Sequence, residues 1–145
     1  MTKDPITVHP NFTVEETAKI LLENKISGVP VEDGKNQLVG VITQNDLFRV
    51  LISLTGVNKR GIQFAMMLED RPGSIKEVAD IIRKYGGRMV SILSSYERIP
   101  EGHRRAYIRM YNIDRIKLPQ LKEELKEKAT LLYMVDLRED KREIY

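Results

Sequence analysis

Gly40-Val41-Ile42-Thr43-Gln44-Asn45-Asp46-Leu47 is the stretch on which the first part of the chain turns, because an apolar run stops there at a polar turn and a helical pattern begins. Residues 38–42 are short, β-branched and preceded by Asp33-Gly34-Lys35-Asn36, so they read as a buried strand approached through a tight turn. Thr43 puts a hydroxyl before the first helical turn and Asp46 a carboxylate three residues on, the pattern of a capping box. Such a helix start offers N–H groups and the positive end of a dipole, a place where phosphate is readily held. Any strand-to-helix turn needs a cap, however. From these residues alone the cap is the simpler account of Thr43 and Asp46.

The neighbouring segments add to this. Pro5-Ile6-Thr7-Val8 is expected to form a short strand. Thr13 and Glu16 make a capping box for a helix whose Val14, Ala18, Leu21 and Leu22 fall on one face, expected to be core. Ile26-Ser27-Gly28-Val29-Pro30-Val31 precedes the Asp-Gly turn, and Pro30 predicts a strand with an unpaired N–H side or a bend. Taken with residues 40–47, this order resembles a CBS motif: strand, helix, a Gly-apolar-Pro-apolar strand, then a Gly-apolar-apolar-Thr-x-x-Asp turn into a second helix. The resemblance implies an adenosine-type ligand, AMP, ADP, ATP or S-adenosylmethionine. It further implies that Asp46 holds ribose hydroxyls, that Thr43 meets ribose or phosphate, and that Ile6, Thr7, Ser27, Gly28, Val29 and Pro30 lie around the adenine. Met1-Thr2-Lys3-Asp4-Pro5 resembles the interior of the usual start of such a motif, so the chain is expected to be the C-terminal part of a longer protein, or else two chains each supply one motif.

The helix from Gln44 carries Leu47, Phe48, Val50, Leu51 and Leu54, a wide apolar face that something must cover. A unit of roughly 60 residues is close to the lower limit for an independent core. A partner is therefore expected, and the family resemblance implies pairing of motifs, here as a homodimer or higher homo-oligomer.

Gly56-Val57-Asn58-Lys59-Arg60-Gly61 punctuates the chain, with a change of pattern on either side. The expected division is a CBS motif over residues 1–57, a linker at 58–61, a second domain over 62–137 and a charged tail at 138–145. In the second domain Ile62, Phe64, Met66 and Leu68 alternate on one strand face, Ser74 and Glu77 suggest a third capping box, and Ile75, Val78, Ala79, Ile81, Ile82 and Tyr85 form a helical stripe ended by Gly86-Gly87. Strands at 89–96 and 105–111, a helix begun at Pro119 and a strand at 131–135 complete a β-α-β-β-α-β order, that of a ferredoxin-like sandwich. The fold class is thus α+β, a β-α-β-β-α half-module followed by this second domain. The strand, the Asp70-Arg71-Pro72-Gly73 turn and the helix after it resemble the opening of an ACT domain, and the whole chain is similar to bacterial CBS-ACT proteins of the acetoin-utilisation protein B type. That likeness implies ACT–ACT pairing and an amino-acid site at Asp70, Arg71, Pro72, Gly73 and Ser74.

Composition bounds the rest. The 145 residues are 41% hydrophobic and contain no cysteine, which excludes disulfides and thiolate metal sites. No apolar stretch approaches the roughly 20 residues that span a bilayer, so a cytoplasmic protein with no membrane partner is expected. The net charge of +3 is uneven, −2 over residues 1–57 and +5 over 58–145. Only 6% of residues are aromatic, and the cations are scattered, so nucleic acid is not an expected partner. His9 and His103 each lack a second metal ligand at a recognisable spacing. No catalytic residues, metal or cofactor are expected, and the chain reads as a regulatory small-molecule sensor. The alternative is a ligand-free structural oligomerisation module.

Overall fold

Ile62, Phe64, Met66 and Leu68 are all buried, on one face of the strand from which the larger unit is built. The computed structural model describes residues 5–145, and the expected features at Met1, Thr2, Lys3 and Asp4 lie outside the described residues. The chain divides into two compact units, Met1–Ile52 and Ser53–Tyr145. The division falls a few residues before the glycine-flanked segment 56–61, whose Val57–Lys59 forms a short 3-10 turn instead of an open linker.

The first unit contains α1 (Val14–Asn24), β1 (Gly28–Glu32), β2 (Leu38–Thr43) and most of α2 (Gln44–Thr55). Thr13 and Glu16 form the expected reciprocal cap of α1. β1 and β2 pair antiparallel, with Val29 opposite Ile42 and a bulge after Val31. The turn between them is organised by Asp33, whose Oδ1 accepts from the N–H groups of Lys35 (2.8 Å) and Gln37 (2.9 Å). Its left-handed residue is Asn36, not Gly34.

Three sequence expectations are corrected here. The segment Pro5-Ile6-Thr7-Val8 is not a strand: only Val8 bridges Val31, donating to the Pro30 carbonyl and accepting from Glu32. β2 is a strand but not a buried one, since Leu38, Val39 and Val41 are exposed, Val41 to 56%. In α1, Leu21 and Thr17 are buried, whereas Leu22 is 81% exposed and Val14 is also open. The resulting core is small: Val8, Leu21 and Val29, backed by Ile20, Ile26, Val31, Ile42 and Leu47.

The second unit runs β3 (Ile62–Glu69), α3 (Ser74–Lys84), β4 (Arg88–Ser95), β5 (His103–Tyr111), α4 (Leu118–Lys128), β6 (Thr130–Asp136) and β7 (Lys141–Ile144). Its antiparallel sheet has the order β4-β5-β3-β6-β7, which is the split β-α-β arrangement extended by one strand. β7 lies within the segment expected to be a charged tail and instead pairs with β6. Val78 and Ile82 of α3 and Leu121 and Leu125 of α4 are fully buried in one cluster with the inward residues of β3, β5 and β6.

On the opposite sheet face Arg109 is 5% exposed and has no carboxylate partner among the described residues. Its Nε donates to the Thr55 carbonyl at 2.9 Å and an Nη to Gln63 at 3.3 Å, and burial pulls its pKa down.

Candidate functional site

At the end of β2 the Thr43-to-Asp46 box is formed as expected. Thr43 N–H and Thr43 Oγ1–H both donate to Asp46 Oδ2 at 2.9 Å, and Asp46 N–H donates back to Thr43 Oγ1 at 3.3 Å. The Gln44 N–H donates to the Ser27 carbonyl at 2.9 Å, which ties the helix start to the approach to β1. The Thr43 backbone and hydroxyl hydrogen bonds, in that order, hold the Asp46 carboxyl below its ordinary value, with Arg49 adding a smaller attraction. Asp46 is therefore a carboxylate at neutral pH. Oδ2 is used locally, while among the described residues Oδ1 meets only Arg49, at 3.4 Å, and keeps lone pairs for an incoming donor. Thr43 has already given its hydroxyl proton to Asp46, so it can only accept from a ligand.

Asp46 lines a hollow of about 140 Å³ whose apolar wall includes Val8, Phe12, Ile42, Leu47 and Val50, with His9 and Thr17 as its other polar side chains. None of the residues expected around the adenine, nor Thr43, belongs to this lining. Ile6 is exposed, Thr7 half-buried and Ser27 exposed, Val29 is fully buried in the core, and the Pro30 carbonyl is occupied by Val8. A Cβ on Gly28 would make ordinary contacts of 3.4 Å or more, so close approach does not require glycine there. Leu47 and Val50 are expected as part of the apolar face of α2, since at helical spacing such residues signal core, and Phe12, ahead of α1, carries no spacing signal.

The second cluster is the β3–α3 turn, where Asp70, Arg71, Pro72, Gly73 and Ser74 all line one open hollow of about 380 Å³, with Arg104 beside them. Arg71 donates to Glu77 at 2.7 Å and to Glu69 at 3.0 Å, which raises its own pKa and lowers that of Glu77. The expected Ser74–Glu77 capping box is not formed. Gly73, which has no side chain, occupies the cap position at φ +88°, so Ser74 is already the first helical residue, and Arg71 holds the Glu77 carboxylate. Ser74 Oγ is buried and has no hydrogen-bond partner among the described residues. Tyr96 Oη donates to Asp70 at 3.1 Å, and the Arg104 guanidinium lies 5.3 Å from the Tyr96 ring centre.

Residues 1–53 match the family model described as CBS domain. The chain carries a CBS domain. Over 105 residues, 68% of this chain and 19% of the relative, it is 33% identical to L-aspartate semialdehyde sulfurtransferase of Methanocaldococcus jannaschii. That likeness is longer than the CBS match. Inosine-5'-monophosphate dehydrogenase of Korarchaeum cryptofilum is 46% identical over 48 residues, 33% of this chain and 10% of the relative. The CBS domain-containing protein CBSX1, chloroplastic, of Arabidopsis thaliana is 39% identical over 54 residues, 37% of this chain and 23% of the relative. The chain thus spans about a fifth or less of the first two relatives.

Among the described residues no group of three His, Asp or Glu side chains is placed to hold a metal ion, and no helix is long and apolar enough to cross a membrane.

Proposed function

We propose that the chain is a regulatory ligand-binding module, with an adenine nucleotide at the CBS unit and the carboxylate of a free amino acid at the β3–α3 turn of an ACT-type second unit. The observation that carries it is the Asp46 carboxylate, held ionised by Thr43 with Oδ1 still able to accept. A vicinal diol presents two O–H donors to such an oxygen, and an apolar hollow beside it suits a purine face. At the second unit, five residues of one turn share a hollow with an uncapped helix start and a buried, unpartnered hydroxyl. A carboxylate would take N–H groups of that first helical turn, where Ser74 N–H now donates to the Arg71 carbonyl at 3.3 Å.

A hollow of about 140 Å³ is below the usual range of roughly 300–1,000 Å³ for a drug-sized ligand, so a second CBS unit completes the nucleotide site. Pairing would also cover Leu38, Val39 and Val41. The same exposed residues favour the second reading, a ligand-free oligomerisation module.

Isothermal titration with AMP, ADP, ATP and S-adenosylmethionine, beside an amino-acid panel, tests the reading. Saturable nucleotide binding that Asp46→Ala abolishes supports it. Association without any binding supports the oligomerisation module instead.

A further inference from the structure

At the end of the second unit away from the β3–α3 turn, Lys59, Arg60, Arg115 and Arg138 line a cavity of about 230 Å³ together with Tyr111 and Asn112. No carboxylate lines it. Since β3 is eight residues long, roughly 24 Å of strand separates this cavity from the amino-acid turn. Three separate segments meet here because the backbones of β3 and β5 close tightly: a Cβ on Gly61 would fall 2.0 Å from the Met110 carbonyl oxygen. The Gly61 carbonyl also accepts from Leu137 N–H at 3.2 Å, which brings the β6–β7 turn and Arg138 alongside.

The charges do not cancel locally. Arg115 is neutralised by Asp136 at 3.0 Å, and Arg138 only approaches Glu139 at 3.9 Å. Lys59 and Arg60 pair with no carboxylate among the described residues; Arg60 reaches only the Leu137 carbonyl, at 3.5 Å. Arg88 adds a further cation at the margin, 5.7 Å from the Tyr111 ring centre, with Lys59 at 5.6 Å from the same ring. Arg60 itself stands at φ +53°, an uncommon conformation for a side-chain-bearing residue, and it is an arginine that occupies it.

From this we infer that the cavity is a binding site for a compact, multiply charged phosphate, of diphosphate size. Guanidinium and ammonium groups from separate segments suit an oxyanion with several acceptor oxygens, and an excess of about two positive charges suits one with at least two negative charges. Four cations and Asn112 line a volume of about 230 Å³, which matches a compact oxyanion. A nucleic-acid strand needs stacking rings along an extended groove, and the aromatic ring here already carries Lys59 and Arg88.

Inorganic pyrophosphate is the probe, titrated calorimetrically into the full chain at constant ionic strength. Saturable binding is expected in the parent. Lys59→Gln with Arg60→Gly should weaken it by about tenfold or more, as loss of two charge-assisted contacts implies. Arg60→Gly removes the cation at a backbone conformation glycine adopts freely, so folding is retained, and a melting curve verifies it. Lys19→Gln, an exposed cation of the first unit, should leave pyrophosphate binding unchanged. Absence of saturable binding in the parent, equal binding by the double variant, or loss of binding in Lys19→Gln would overturn the assignment. Tighter, substitution-sensitive binding of a single-stranded oligonucleotide would overturn the compact ligand.

Discussion

Arg115 donates from Nε and Nη2 to the two carboxylate oxygens of Asp136, 3.0 Å each, and Asp136 Oδ1 also accepts from the N–H groups of Arg138 and Glu139 at 3.1 Å. One side chain at the end of β6 thereby fixes the loop before α4 and the turn into β7. Asp136 is 2% exposed. Burial, the largest influence, pushes its pKa up, but the Arg115 hydrogen bonds and the two backbone donors together outweigh it and the net shift is downward. Its native pKa lies below 3.8, so the unfolded chain takes up the proton first. The stabilisation is present above that ordinary value and is lost as pH falls through the lowered native one. Asp136→Asn should cost about 2–3 kcal/mol at pH 7, since a partly buried guanidinium is left with only the more distant Glu139 carboxylate, at 3.8 Å. In urea titrations the gap between parent and variant should narrow below pH 4, and a gap constant from pH 7 to pH 2 would refute the charge pairing.

Ser74 gives a prediction in which stability and affinity move in opposite senses. Its hydroxyl is buried without a partner among the described residues, so Ser74→Ala removes a desolvated group and should leave stability unchanged or raise it by up to about 1 kcal/mol. If the turn takes an amino acid, the same change should weaken that ligand. Thermal melts read the first effect and calorimetry the second; a clear loss of stability in Ser74→Ala would mean that the hydroxyl is satisfied in solution.

The glycines divide by what a methyl group would meet. Gly61→Ala drives a Cβ onto the Met110 carbonyl, a backbone atom that cannot swing aside, and should cost about 3 kcal/mol. Gly73→Ala has open space but must hold φ +88°, so its cost is about 1 kcal/mol of backbone strain. Gly40→Ala meets nothing and should be nearly neutral. Denaturant midpoints of the three variants should fall in that order.

The sequence was most legible where one period dominates. In β3 alternate residues fill the core, and in α3 the stripe at Val78, Ala79 and Ile82 is buried as its spacing implies. The cap of α3 was not legible. Ser74 and Glu77 have the right spacing, but Arg71, just upstream, takes the Glu77 carboxylate, a competition that spacing does not reveal. β2 failed for another reason: an apolar β-branched run specifies burial without saying whether the cover lies in the same chain. β7 was hidden because Lys141, Arg142 and Glu143 are charged, as befits a sheet edge. The basic cavity joins residues 59–60, 111–112 and 138, which only strand register brings together. The Thr43–Asp46 box was legible because it is local.

That box also separates a cap from a ligand contact. Thr43→Val removes the acceptor for Asp46 N–H and one donor to Asp46 Oδ2, and loss of such a cap costs about 1 kcal/mol. Asp46→Asn keeps the size of the side chain while removing its charge. If Asp46 serves only α2, both variants destabilise the first unit and neither alters nucleotide titrations. If Asp46 Oδ1 accepts ribose hydroxyls, Asp46→Asn should weaken AMP by about tenfold, the order expected for losing a charge-assisted hydrogen bond. Adenine, which has no hydroxyls, should then bind parent and variant alike. A parallel loss for AMP and adenine would locate the defect in the fold of the unit and remove Asp46 from ribose recognition.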